Sequence, residues 1–326
     1  MKKKMVRVIA FILLAAIVMT SILALVGTSV SAYTKKEAVI LDVDMCGDVD
    51  DIMAIRMMEN YDTIGKIDLL AVTSTVKGNE KAIAGLLTKD GHENVPVGIS
   101  PYSTDTTAAP YYAKFEETAA SNEMMDAVKL MRKILAESKE KVSIVTTGYL
   151  TNLYGLMISQ ADEYSELSGT ELIKKKVKEV HVTGGSYPDG FDNNYGYVPF
   201  AGVSANYVFK NWDGNIPFVV YTNDLGGSIK CGSSVAGDSE DYLGWALADR
   251  GVQAGSPSWD AFTAFAFVNL SDSKIHGIKY AKCEMSVNTD GSDTITDTKT
   301  GRFYRIIKTH GDEYYKNIIN GNLILI

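Results

Sequence analysis

Five aspartates, Asp42, Asp44, Asp48, Asp50 and Asp51, fall within ten residues, directly after the apolar run Ala38-Val39-Ile40-Leu41. Carboxylates a few ångströms apart raise one another's pKa, and burying them is costly, so such a group must take up protons or share a cation. The plainer reading is a solvated acidic loop whose aspartates cap the next helix, a placement favoured by about 0.5–2 kcal/mol. Capping accounts for one or two of the five. It does not account for Asp42 and Asp44, which alternate out of an apolar strand. Ligands made only of oxygen select calcium or magnesium, and calcium is the better match for a flexible site outside the cell.

Other chemistries have weaker footing. The four histidines (His92, His181, His276, His310) are scattered, and the three cysteines (Cys46, Cys231, Cys283) form no CxxC pair, so a sulfur or imidazole metal centre is not indicated. One disulfide with one thiol left over is the most that three cysteines allow. The chain has a net charge of −8, with 32 Lys+Arg against 40 Asp+Glu, which argues against nucleic acid as a partner.

The aspartates need a scaffold, and the chain supplies one. Short β-branched runs at 38–41, 66–73, 95–98, 142–146, 177–182 and 217–221 read as strands. Segments 51–60, 80–88, 121–138 and 151–159 have helical periodicity. This alternation predicts an α/β fold: a single-domain open, mostly parallel, Rossmann-like sheet with helices on both faces, whose strands are apolar throughout because both faces are covered. Polar residues collect where strands end, at Asp42 and Asp44, at 75–79, at Thr147-Gly148 and at Gly184-Gly185-Ser186. Ligands of open parallel sheets bind beyond the carboxyl ends of the strands, so four such ends predict one site. The Asp-, Thr-, Ser- and Gly-rich stretch 290–300 reads as an exposed hairpin or loop. Neither an internal repeat nor a second domain is visible.

The first 32 residues stand apart. Lys2, Lys3, Lys4 and Arg7 precede an apolar run from Val8 to Val26, which ends in Gly27-Thr28-Ser29-Val30-Ser31-Ala32. This is the layout of a signal peptide cleaved before Tyr33, so a secreted or extracytoplasmic chain of residues 33–326 is expected. An uncleaved N-terminal membrane anchor is the alternative, because a bilayer needs about 20 apolar residues.

Asp42-x-Asp44-x5-Asp50-Asp51 followed by an apolar helix resembles the signature of the inosine-uridine-preferring nucleoside hydrolase family, whose usual spacing is two residues shorter. The longer Met45-Cys46-Gly47-Asp48-Val49 form is read as the mark of a branch, and Asp48 is left without a role. Three later segments match in order and extend the resemblance over nearly all of residues 33–326. They are Val72-Thr73-Ser74-Thr75-Val76-Lys77-Gly78-Asn79, Val145-Thr146-Thr147-Gly148-Tyr149-Leu150-Thr151-Asn152-Leu153 and Ser256-Pro257-Ser258-Trp259-Asp260. The resemblance implies that Asp44, Asp51, Asp260 and the Thr147 carbonyl hold calcium, with Asp42 behind them. It further implies that Asp50 meets the ribose 2′-hydroxyl with Asn79 beside it, and that a water on the ion, activated by Asp44, cleaves the N-glycosidic bond of a nucleoside. Relatives are commonly homodimers or homotetramers, which is analogy only.

The sequence departs from the family at two places. Where the family has Gly-Gly and then Glu-x-Asn for ribose, this chain has Gly184-Gly185-Ser186 and then Asp192-Asn193-Asn194. Asp192 and Asn194 are therefore candidates either for ribose binding or for capping a Gly/Asn-rich turn. Trp259 stands where many relatives have a histidine, and it either stacks on the base, with Tyr102, Tyr111 or Tyr112 opposite, or simply packs the loop. No histidine matches a general-acid position. Asp224 either contacts substrate or caps the next segment, and Met57-Met58 and Tyr314-Tyr315 read as packing.

Two other readings compete. Leu41-Asp42-Val43-Asp44 has the outline of the haloacid-dehalogenase nucleophile motif, but Cys46 stands where that motif requires threonine. A nucleoside- or sugar-binding relative without catalysis, or a hydrolase of another ribosyl glycoside, would retain the same ion ligands.

Overall fold

The apolar runs become strands because their side chains alternate between two covered faces. In the computed structural model, which describes residues 36–45, 47–102, 111–119 and 122–324, strand β1 (Glu37–Val43) sends Val39, Leu41 and Val43 into one apolar cluster and Ile40 into another. The leader read over 1–32 and Cys46 lie outside the described residues.

The remaining strands are β2 (Ile67–Ser74), β3 (Val97–Ile99), β4 (Met124–Asp126), β5 (Val142–Thr146), β6 (Val177–Thr183), β7 (Asp189–Phe191), β8 (Phe218–Tyr221), β9 (Lys230–Cys231), β10 (Ser256–Pro257), β11 (Ile278–Val287), β12 (Ser292–Asp297) and β13 (Phe303–Lys308). The main sheet has the order β4-β3-β2-β1-β5-β6-β8-β13-β11-β12-β7, and β9 and β10 form a separate pair. From β4 to β13 the pairings are parallel; β13, β11, β12 and β7 are joined antiparallel.

The helices are α1 (Asp50–Thr63), α2 (Glu80–Lys89), α3 (Tyr112–Glu116), α4 (Ala127–Glu137), α5 (Thr151–Ile158), α6 (Gly169–Lys176), α7 (Asn193–Gly196), α8 (Pro199–Asn211), α9 (Asn223–Gly226), α10 (Tyr242–Asp249), α11 (Trp259–Val268) and α12 (Asp312–Asn322). One cluster of core side chains lies between the sheet and α1, α2, α10, α11 and α12, and the other between the sheet and α4, α5, α6 and α8. This is the mostly parallel α/β sheet with helices on both faces that the alternation of runs predicts.

The differences are local. The helix expected over 121–138 splits into edge strand β4 and helix α4, because the Asp126 carboxylate accepts the Lys129 amide at 2.9 Å and caps the helix there. Stretch 290–300 proves to be a hairpin turn running into β12. Cys231 and Cys283 are buried free thiols. Met57, Met58 and Tyr315 are buried in packing roles, as expected. Among the described residues no helix is long and apolar enough to cross a membrane.

Candidate functional site

From β1 the chain winds outward through β2, β3 and β4, then returns to the other side of β1 as β5. The direction of winding therefore reverses between β1 and β5. A crevice opens at the carboxyl ends of strands at such a reversal, and the acidic residues sit there. The cavity measures about 390 Å³ and is lined by Asp44, Asp48, Asp50, Asp51, Thr147, Tyr149, Thr183, Asp192, Asn193, Asn194, Tyr197, Asn223, Trp259 and Asp260.

Its floor is made by two helix starts. α1 has Val49 at its N-cap with no side-chain cap, so none of the aspartates is its N-cap residue; Asp50 and Asp51 occupy the first turn, where the helix dipole favours them. α11 brings Asp260 in its own first turn. Carboxylate oxygens of Asp50, Asp51 and Asp260 all lie within 4.8 Å of one another, and all three residues are buried. The Asp260 amide donates to Asp50 Oδ2 at 3.3 Å, and the Asp44 amide donates to Asp51 Oδ1 at 3.3 Å. Burial first, and then the charge of neighbouring aspartates, pushes Asp50, Asp51 and Asp260 well above the ordinary carboxylate range.

The donor set is all oxygen and buried, and Thr147, which lines the same cavity, has a buried hydroxyl with no hydrogen-bond partner among the described residues. Such a set fits a hard divalent cation. Asp50, expected at the ribose, is thus the third member of the carboxylate group, while Asp44 lines the same cavity beside it. The Thr147 carbonyl accepts the Asn194 Nδ2 at 2.9 Å, and Asn194 donates as well to the Thr183 carbonyl at 3.1 Å, tying together the ends of β5 and β6.

Behind the cavity, Asp42 is fully buried in β1. It accepts hydrogen bonds from Thr73 Oγ1 (2.6 Å), Asn152 Nδ2 (2.8 Å) and Thr146 Oγ1 (3.2 Å), and burial nevertheless raises its carboxyl to about 7. Its carbonyl receives the Thr147 amide at 2.8 Å, so Asp42 ties β1 to the residues beyond β2 and β5. Gly148 lets these strand ends close up, since a Cβ there would lie 2.7 Å from both the Cβ and the amide nitrogen of Asp44.

Other expected residues have different surroundings. Asn79 is not among the lining residues; its Nδ2 donates to the Asp44 and Met45 carbonyls, both at 3.1 Å, and shapes the acidic loop from below. Asp192 lines the cavity and also caps α7, accepting the Gly185 and Asn194 amides at 2.7 Å each. Trp259 lines the cavity with its Nε1 donating to the Asn223 carbonyl at 2.9 Å. Tyr111 and Tyr112 do not face it: they are buried in an aromatic cluster with Phe115, where the Tyr111 hydroxyl donates to the Asp48 carbonyl at 2.9 Å. Tyr102 packs on Phe200, with ring centroids 4.7 Å apart. Asp224 is exposed, and its neighbour Asn223 lines the cavity instead. Tyr149, Thr183, Asn193 and Tyr197 were also missed. The only sequence signal for them was their nearness to the strand ends at 147–148 and 184–186.

No protein-family model matches the sequence. No curated protein matches it either. Solved structures do match. The inosine-uridine preferring nucleoside hydrolase from Bacillus anthracis is 15% identical with a TM-score of 0.64, covering 89% of this chain and 100% of that one. The purine-preferring ribonucleoside hydrolase from Gardnerella vaginalis is 14% identical with a TM-score of 0.63, over 88% and 98% of the two chains. An inosine-guanosine nucleoside hydrolase is 14% identical with a TM-score of 0.64, over 88% and 99%. At these identities the likeness establishes the fold, which is that of the nucleoside hydrolases.

Proposed function

We propose that the chain is a calcium-dependent hydrolase that cleaves the N-glycosidic bond of nucleosides into base and ribose. The observation that carries this reading is the convergence of the buried Asp50, Asp51 and Asp260 carboxylates at the floor of a crevice at the switch point of a nucleoside hydrolase fold. At about 390 Å³ the cavity falls in the range of about 300–1,000 Å³ typical of small-ligand sites. Asp44, Asp51, Asp260 and the Thr147 carbonyl, together with Asp50, are the groups that would hold the ion. Bound there, calcium would neutralise the converging carboxylates and orient the vicinal hydroxyls of a ribose.

The chain's own residues supply the remainder. The bond breaks with positive charge building on the sugar ring, which the surrounding aspartates stabilise. Asp44, set at the end of β1 with its amide on Asp51, is the group assigned to remove a proton from the attacking water, a contribution of about 10²–10⁴-fold. Asp42, held by three side-chain donors, fixes the β1 end and so positions Asp44. Asn194 holds the Thr147 carbonyl in place, and Asp192 fixes Asn194 through its amide. Trp259 forms part of the wall and is assigned to the base. The leader at 1–32 adds export to the proposal, where calcium is plentiful.

The test is to incubate the purified protein with calcium and a panel of nucleosides, measuring reducing sugar and free base. Turnover that disappears on chelation and returns with calcium is expected, and Asp44→Asn should lower kcat by about 10²–10⁴-fold with the fold intact. Tight binding of a nucleoside with no turnover of any would replace the enzyme by a binding protein.

A further inference from the structure

The cavity is negative beyond the needs of one divalent ion. Asp44, Asp48, Asp50, Asp51, Asp192 and Asp260 all line it, and no lysine, arginine or histidine is among the described lining residues. Arg250 reaches the rim: its Nη2 lies 3.7 Å from Asp48 Oδ1, and that Asp48 side chain is 67% exposed. Beyond that loose pair, the chemistry proposed above gives the Asp48 carboxylate no task.

The second observation concerns the leaving group. An uncharged base departs as an anion unless a proton is delivered to it, and a general acid must have a proton to give. Thr147, Thr183, Tyr149 and Tyr197 offer only hydroxyls, which are weak acids, and Asp44, Asp50, Asp51 and Asp260 belong to the ion and the attacking water. Asp192 is pushed upward by burial, but both its oxygens already accept amide protons, so protonating it would sacrifice one of those bonds.

We propose that the preferred substrates are ribosides whose base already carries a positive charge: pyridinium ribosides and N7-alkylated purine ribosides. This rests on the nucleoside hydrolase reading and specifies its substrate class. With such a base, the C1′–N bond breaks with its electron pair passing to the base, which leaves as a neutral aromatic molecule. Water oxygen bonds to C1′, and one water proton goes to Asp44 and then to solvent. No acid is required. Asp48 at the rim and the aromatic lining of Trp259 and Tyr197 match a flat cation, since ring faces and carboxylates both attract positive charge.

The experiment compares kcat/KM for nicotinamide riboside, 7-methylguanosine, inosine and uridine, using the full-length protein with calcium. The neutral dihydro form of nicotinamide riboside serves as an inhibitor of matched size. We expect the cationic ribosides to exceed inosine and uridine at least 30-fold, and the neutral dihydro form to bind at least tenfold more weakly than the cation. Asp48→Asn should lower kcat/KM for nicotinamide riboside about tenfold, mainly through KM. A smaller or reversed preference, or equal binding of the dihydro form, overturns the substrate class and leaves nucleoside hydrolysis standing. Absence of turnover on all four overturns both. An unchanged Asp48→Asn value removes the rim carboxylate from recognition.

Discussion

Two groups of buried charge sit on the same helix, α1, and the chain treats them in opposite ways. Arg56 is 1% exposed; its Nε lies 3.0 Å from Asp90 Oδ2 and its Nη1 2.5 Å from Asp241 Oδ2. This guanidinium joins α1 to the residue that ends α2 and to the cap of α10. Two turns earlier, Asp50 and Asp51 meet Asp260 with no cationic side chain among the described lining residues. Isolated buried charge is so costly that it must be paired, protonated or bound to metal. Around Arg56 the chain provides its own counter-ions. At the cavity the carboxylates must either hold protons or take a counter-ion from solution.

Three changes would break or sharpen that contrast. The largest effect is expected for Asp51→Asn, which should lower kcat about 10³-fold and abolish the melting shift given by calcium. The calcium-free variant should melt no lower than the native protein, because a buried like charge has gone. Steady-state rates and thermal melts check this, and a calcium shift equal to that of the native protein would remove Asp51 from the ion site.

Next, Arg56→Met should cost about 3–5 kcal/mol, since it leaves Asp90 and Asp241 buried without their partner. Urea unfolding measures that loss, and kcat per folded molecule should hold. A variant of native stability would show that the two charge groups are less different than their geometry implies.

The smallest effect is a slope. Folded-state carboxyls of Asp50, Asp51 and Asp260 lie above their unfolded values, so the chelated protein binds more protons folded than unfolded. Their contribution to stability is fully present below the ordinary carboxylate range and is lost as pH rises through the raised values. Melting temperature in EDTA should fall with rising pH, while saturating calcium, which takes the ionised groups, should flatten or reverse the trend. A rising trend in EDTA would mean that other groups dominate the linkage.

The same contrast explains what could be read from sequence. Strand 142–146 was legible because burial on both faces leaves an uninterrupted apolar run, and the aspartates were legible because so many carboxylates following a buried strand are costly unless protonated, hydrogen-bonded or shared with a cation. β11 was not: its residues alternate between solvent and core, with Lys279 and Lys282 on it, so no apolar run marks it. β7 is three exposed residues held by pairing to β12, a fact of tertiary structure alone. At the end of β8, Asp224 was left open between substrate contact and capping of the next segment, and Asn223 was not singled out. Asp224 carries the charge, yet the turn into α9 directs Asn223 to the cavity. Asn79 was read for the substrate, but sequence could not show that its side chain also braces the acidic loop through the Asp44 and Met45 carbonyls.

The contact between the Asp260 amide and Asp50 spans 210 residues of chain. An ion held by Asp50, Asp51 and Asp260 therefore has no site until the early and late parts of the polypeptide have docked. If calcium is that ion, it should act as a late ligand of the native state, slowing unfolding in proportion to its occupancy while leaving the folding rate nearly unchanged. Such an ion would be a lock turned after assembly rather than a template for it.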